Sequence, residues 1–291
     1  MKSRRVFIGS IISGLIPILG YSIYGRFFMN IKSQSKMPVF FFGHGSPMNA
    51  IERNQYTETL REIAKKIPTP NAILCVSAHW ETNGTWVTSM ESPKTIHDFY
   101  GFPKELFDIQ YPAPGNFSLA KNISEIISNP KINLDANEWG LDHGTWSVLR
   151  HLYPDANIPV LQLSLDKRKP MSFHFELGKE LSYLREKGVL IIGSGNLVHN
   201  LQKIDWSPNV KPHDWAQEFD DWIKNKITSR DFNSILNESL NLPSGKLSHP
   251  TAEHFHPLLY ILGSSTNEDT LKFEYEDIQH ASISMRSLSF T

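Results

Sequence analysis

The chain has 291 residues, 29 basic and 30 acidic side chains, and a formal charge of -1. Acids and bases alternate along it, so it lacks the basic bias that a phosphate backbone demands, and nucleic acid is excluded as a partner. With 40% hydrophobic residues it has the content of a folded protein, and its length suits one large α/β domain.

Residues 1–36 read as separate from that domain. Ser3-Arg4-Arg5-Val6-Phe7 precedes an apolar stretch from Ile8 to Tyr24, the charged-then-apolar order of an export leader. The paired arginines resemble the twin-arginine motif, which carries folded, cofactor-loaded proteins across the bacterial inner membrane. An uncleaved membrane anchor through residues 6–24 is the other reading, since the run approaches spanning length. The expected location is periplasmic, or anchored in the inner membrane and facing the periplasm, with a cytoplasmic protein as the alternative. A Ser/Lys/Gln linker at Lys32–Lys36 leads into the catalytic domain, residues 37–291.

Val39-Phe40-Phe41-Phe42 is a continuous apolar run stopping at Gly43-His44-Gly45, the pattern of a buried strand that ends in a loop. A helix follows over Tyr56–Lys66, and a second buried strand, Ala72–Ser77, ends at Ala78-His79-Trp80. The one cysteine, Cys75, sits inside this strand and reads as a buried structural thiol. Ser92–Pro114, rich in proline and aromatics, reads as an ordered loop able to wall a pocket. Helices at Phe117–Ile127 and Gly144–Leu152, a strand at Pro159–Leu165, a helix at Ser172–Lys187, a strand at Val189–Ser194 and an apolar helix at Leu258–Leu262 complete the pattern. Strands alternating with helices imply a single α/β domain with a largely parallel or mixed central sheet flanked by helices. Ligands of such sheets bind beyond the carboxyl ends of the strands. His44, His79 and the Ser194-Gly195-Asn196…His199 segment all fall on that edge.

With 12 histidines in the chain, a single one carries little weight. His44 and His79 stand out because each follows a strand and adjoins small residues, Gly43 and Gly45 for the first and Ala78 for the second. Neutral imidazoles suit divalent iron or zinc, and three protein ligands leave positions open for substrate. Glu253, His254 and His256 compete for the third position, and spacing alone does not choose among them.

The motifs Gly43-His44-Gly45-Ser46-Pro47-Met48, Ser77-Ala78-His79-Trp80, Thr95-Ile96-His97-Asp98-Phe99, Tyr111-Pro112-Ala113-Pro114-Gly115, Gly140-Leu141-Asp142-His143-Gly144, Gly193-Ser194-Gly195-Asn196-Leu197-Val198-His199-Asn200 and Glu253-His254 occur in order. Together they resemble the class III extradiol ring-cleavage dioxygenases, and within that class the 4,5-DOPA dioxygenase branch. The resemblance implies an Fe(II) centre at His44, His79 and His254, with His199 and His143 as catalytic histidines around it. In the wider class the third ligand is a glutamate, and Glu253 adjoins that position. The implied reaction opens a catechol such as 4,5-DOPA with O2, with histidines serving in turn as base and acid.

Ser46, His97 and Trp80 are candidates for touching the substrate; the alternatives are a turn residue, a partner of Asp98 and a core tryptophan respectively. Two rival functions use the same site. One is a zinc hydrolase or amidase that activates a water, and Zn(II) could also occupy the site in a purified sample. The other is a catalytically silent metal- or aromatic-binding protein.

Overall fold

The computed structural model describes residues 36–207 and 209–291, so the expected leader or anchor lies outside the described residues. Among the described residues no helix is long and apolar enough to cross a membrane. The described residues form ten strands: β1 Val39–Gly43, β2 Ala72–Thr82, β3 Thr85–Thr88, β4 Ile132–Asp135, β5 Val160–Asp166, β6 Val189–Gly195, β7 Leu271–Tyr275, β8 Ile278–Gln279, β9 Ile283–Ser284 and β10 Ser287–Phe290. The helices are α1 Gln55–Ala64, α2 Lys104–Phe107, α3 Phe117–Ile126, α4 His143–Leu152, α5 Met171–Leu181, α6 Asp214–Thr228, α7 Phe232–Glu238, α8 Pro243–Ser248 and α9 His256–Ser264, joined by short 3-10 turns.

Eight strands form one mixed sheet in the order β4-β3-β5-β2-β6-β1-β10-β7. Its centre, β5-β2-β6-β1, is parallel throughout. Antiparallel pairs bound it, β3 on β5 at one side and β10 on β1 at the other. The expected mixed α/β sheet is therefore present. The short strands β3 and β4 and the C-terminal strands β7 and β10 are additions that no apolar run in the sequence announces.

Burial on both faces explains why the central strands are apolar without alternation. Side chains still alternate physically, because successive Cβ atoms point to opposite faces. Phe41, Leu74, Val76 and Ile191 join a core with Leu177 and Leu181 of α5, Phe219 of α6 and Leu258 of α9. Phe40, Phe42, Ile73, Cys75 and Ile192 join the other core with Leu60 of α1 and Trp146 and Leu149 of α4. A buried ion pair ties the far end of the sheet. Arg185 donates to both oxygens of Asp269 at 2.6 and 2.9 Å and to the carbonyls of Met37 and Ser264.

Strand β2 departs from expectation near its end. It continues to Thr82, so His79 lies inside it rather than beyond it. Pairing with β6 stops at Ser77 opposite Ser194, and pairing with β5 shifts register between Val76 and Glu81. The resulting bulge frees His79 from the ladder at the edge where the other strands end.

Candidate metal centre

His44 follows β1, and its backbone N–H donates to the Gly195 carbonyl at 3.1 Å. Its Nδ1 lies 2.9 Å from Ser194 Oγ, whose own hydroxyl donates to the Gly144 carbonyl at 2.5 Å. A hydroxyl that spends its proton on a carbonyl can only accept from the imidazole. His44 therefore carries its proton on Nδ1 and leaves Nε2 as a lone pair. His254 precedes α9, and its carbonyl accepts from the backbone N–H of Asn196 at 2.9 Å. Gly195 makes this approach feasible, since a Cβ there would come within 2.2 Å of the His254 carbonyl oxygen. The Nδ1 of His254 is 2.9 Å from Glu253 Oε1, and its buried Nε2 has no hydrogen-bond partner. A carboxylate accepts, so the proton again sits on Nδ1. The third ring, His79, sets Nδ1 3.2 Å from Asp98 Oδ2.

The three rings border one space, and their outer nitrogens lie beside Ser194, Asp98 and Glu253, the usual support of a metal-bound histidine. The Nε2 atoms of His44 and His79 are 3.2 Å apart, and with both protons on Nδ1 the two lone pairs would suit a cation between them. All three rings are held neutral: burial, reinforced by the neighbouring histidines, pushes each well below the ordinary histidine range. Ring centres are 5.0 Å apart for His44–His79, 5.0 Å for His79–His254 and 5.4 Å for His44–His254. Imidazoles bound through Nε2 at about 2.1 Å, spread between octahedral and tetrahedral angles, put ring centres roughly 4.5–5.2 Å apart. Two of the three spacings fall in that range and His44–His254 is slightly wider, and a set of neutral imidazoles suits a divalent transition metal.

Two further histidines adjoin the three. His143 opens α4, behind the N-cap Asp142, whose carboxylate accepts from the Thr145 N–H, the Ser77 hydroxyl and the Gln162 amide. Burial, then the nearby charge of Asp98, raises the Asp142 carboxyl to about 6. The backbone N–H of His143 donates to Asp98 Oδ1 at 2.9 Å, and its Nδ1 lies 3.0 Å from the same oxygen. Its ring is 4.0 Å from that of His79. His199 lies face to face on His254, with ring centres 3.4 Å apart and 7° between planes. Ligand atoms cluster as His44, His79 and His143, and as His199, Glu253 and His254, each set within 4.8 Å. His143 is thus a geometric competitor for the third position, and Glu253 is turned to His254 as its support.

All five histidines border one cavity of about 500 Å³, together with Ser46 and Asp98. Ser46 also caps a 3-10 turn by accepting from the Met48 N–H at 3.2 Å. Two candidates are not brought to this space. Trp80 is 5% exposed and stacks on Trp139 at 5.7 Å, in the packing behind the site. His97 bonds through Nε2 to the Ile109 carbonyl at 3.0 Å and packs on Phe99 and Trp146, so it braces the wall from outside. Asp98 pairs with His79 and His143 instead of His97. Phe99 and Phe102 line the cavity from the Ser92–Pro114 segment expected to wall a pocket, whereas Trp206, His280 and Ile283 are lining residues that sequence reasoning missed.

A sheet edge that gathers neutral, oriented histidines and two carboxylates around one cavity defines a metal-dependent enzyme of the α/β class. Residues 38–290 match the family described as the catalytic LigB subunit of aromatic ring-opening dioxygenase. The chain is 44% identical over 261 residues to a 4,5-DOPA dioxygenase extradiol of Escherichia coli K12, covering 89% of this chain and 96% of that one. It is 36% identical over 262 residues to the protein of the same description from Beta vulgaris, covering 87% and 96%. A crystal structure of an uncharacterized Escherichia coli K12 protein superposes with a TM-score of 0.78 at 40% identity, covering 88% of this chain and all of the other. The chain belongs to the LigB family of extradiol ring-cleavage dioxygenases, metal-dependent enzymes that act on aromatic substrates with O2.

Proposed function

We propose that the protein is a non-haem Fe(II) dioxygenase that opens the ring of a catechol such as 4,5-DOPA, with His44, His79 and His254 as the metal ligands. The observation that carries this reading is the grouping of the His44, His79 and His254 rings, 5.0–5.4 Å apart, with Nδ1 of His44 and His254 hydrogen-bonded to Ser194 and Glu253 and Nδ1 of His79 3.2 Å from Asp98. The choice of His254 over His143 rests on ring spacing: 5.0 and 5.4 Å to the other two rings, against an uneven 4.0 and 5.6 Å for His143. The names of the bacterial and plant relatives favour a catechol bearing an amino-acid side chain.

A bound ferrous ion would supply the electron relay between ring and O2 that neither reactant provides alone. The chain's own residues do the rest. The walls contributed by Phe99 and Phe102 give the aromatic ring an apolar seat and limit water. His199, beside His254, takes a catechol proton and returns it as the ring opens, so that both oxygen atoms end in a carboxylate and an aldehyde. His143, braced by Asp98, donates a hydrogen bond to the bound reactants. Residues 1–36 serve export or anchoring, which fractionation of cells producing the full chain would read out.

The test is anaerobic loading with Fe(II) followed by oxygen uptake and the appearance of a yellow semialdehyde across a set of catechols. His254→Ala is expected to lose the metal, whereas His199→Ala keeps it and turns over about 10²–10⁴-fold more slowly. Iron-loaded protein that consumes no oxygen with any catechol, while the zinc form hydrolyses an ester or amide, refutes the proposal. Metal loss in His143→Ala with retention in His254→Ala would move the third ligand to His143.

A further inference from the structure

A second cavity of about 520 Å³ lies on the outer side of α1 and α4 and shares no lining residue with the histidine cavity. Its walls bring together Arg53, Arg61, Arg150 and His151 from three separate stretches of chain. Three guanidiniums in one concavity repel one another, and the structure shows compensation for only one. Arg61 donates to Glu58 at 2.7 Å. Arg53 and Arg150, both exposed, make no hydrogen bond or ion pair with any described side chain.

The fourth member is oriented. His151 Nε2 is 2.7 Å from the Asn49 carbonyl, which can only accept, so the ring proton sits there. Nδ1 is then a lone pair, and it accepts from Arg61 Nη2 at 3.0 Å. The Arg61 guanidinium is thereby locked between Glu58 and His151, one edge spent and the plane fixed, a preorganised donor of the kind that recognises oxyanions. Burial, together with the Arg61 and Arg150 charges, keeps His151 below its ordinary range, so it adds no proton of its own. Apolar surface completes the walls, from Ala50, Tyr111 and Pro154.

We propose that this cavity is a binding site for a small organic dianion, an apolar body carrying two carboxylate or phosphate-type groups, held by Arg53 and Arg150 with Arg61 fixed in the same wall by Glu58 and His151. It stands apart from the catechol site and does not depend on the reading of that site. Titration calorimetry at low salt, using the metal-loaded full chain with the catechol cavity left free, tests it. The probes are phthalate, for the carboxylate type, and phenyl phosphate, for the phosphate type. Saturable binding of one probe, weakened about tenfold or more in Arg53→Ala/Arg150→Ala with unchanged melting temperature and catechol turnover, is the expected result. The preferred probe tells which oxyanion is recognised. Absence of saturable binding by either probe, or equal binding by wild type and variant, overturns the proposal. Arg53→Lys/Arg150→Lys keeps the charge without the fork. Full retention of affinity there would reduce the site to a diffuse basic patch and overturn it as well.

Discussion

Asp98→Asn is the most incisive probe of the metal centre, because it changes hydrogen-bonding capacity at constant shape. The carboxylate accepts from the His143 backbone N–H at 2.9 Å on Oδ1 and has two imidazole nitrogens beside it, His143 Nδ1 3.0 Å from Oδ1 and His79 Nδ1 3.2 Å from Oδ2. Burial alone would raise this carboxyl, but the hydrogen bond and charge of His143, with the charge of His79, pull it to about 2. An asparagine can keep its oxygen on the fixed backbone N–H of His143, and its NH₂ then turns to His79 Nδ1. Two donors cannot face each other, so His79 is driven to carry its proton on Nε2, the atom needed for the metal. Loss of such a supporting contact costs about 10–100-fold in metal affinity or activity, or about 1.4–2.7 kcal/mol. Competition titration with a chromophoric chelator gives the affinity, and oxygen uptake gives kcat/KM. A variant that binds Fe(II) and Zn(II) as tightly as wild type, with unchanged kcat/KM, would refute the tautomer argument and with it the role of His79.

Three further outcomes follow from other contacts. Gly144→Ala sets a Cβ 2.6 Å from Ser77 Oγ and 2.9 Å from His79 Cδ2, overpacking worth about 1–3 kcal/mol. Lower metal occupancy by elemental analysis and a lower melting temperature should appear together. Asp269→Asn leaves Arg185, 1% exposed, without its counter-charge, which should cost about 3–5 kcal/mol in denaturant unfolding. Burial opposes ionisation of Asp269, but Arg185, Lys36 and the Thr266 N–H hold its pKa well below the carboxylate range. Its contribution is therefore complete above the unfolded value of about 3.9 and is lost progressively as pH falls from there through the depressed folded value. Wild type should lose stability on acidification by more than the variant does. Cys75, 1% exposed and with its pKa raised by burial, should resist thiol reagents in the native protein and react on unfolding. Stoichiometric labelling of the native protein would contradict that.

The elements legible in the sequence are those whose stability comes from continuous apolar burial. Val39–Phe42, Ala72–Ser77 and Val189–Ser194 are buried on both faces, and composition alone marks them. The elements that escaped are short or patterned by neighbours. The four residues of β10, Ser-Leu-Ser-Phe, alternate small polar with apolar side chains. They become a strand because β1 on one side and β7 on the other offer unpaired backbone groups. The bulge in β2 is invisible for a similar reason. Ser77 to Trp80 have no intrinsic signal for it, and it arises where pairing to β6 ends and β5 resumes out of register.

The site was legible as a set of ligand-bearing residues and not as a network. Strand ends pointed to His44 and His79, and the motif resemblance brought in His254, His143 and His199, all of which border one cavity. The same motifs promoted Trp80 and His97, which adjoin functional residues in sequence but point into packing, because neighbours along an extended strand or loop face opposite ways. What no motif shows is the direction of a proton. Ser194 stood on the strand edge without a role. Its hydroxyl, fixed by the Gly144 carbonyl at 2.5 Å, is what makes His44 an Nδ1–H tautomer. That acceptor is supplied by the first turn of α4, a segment 50 residues away in sequence, whose position is set in turn by Asp142 and Gln162. The orientation of the His44 ring thus depends on a helix that begins with His143, so the two histidines are placed by one element. Disturbing the Asp142 cap should therefore lower metal affinity and turnover together, even though Asp142 touches neither metal ligand nor substrate.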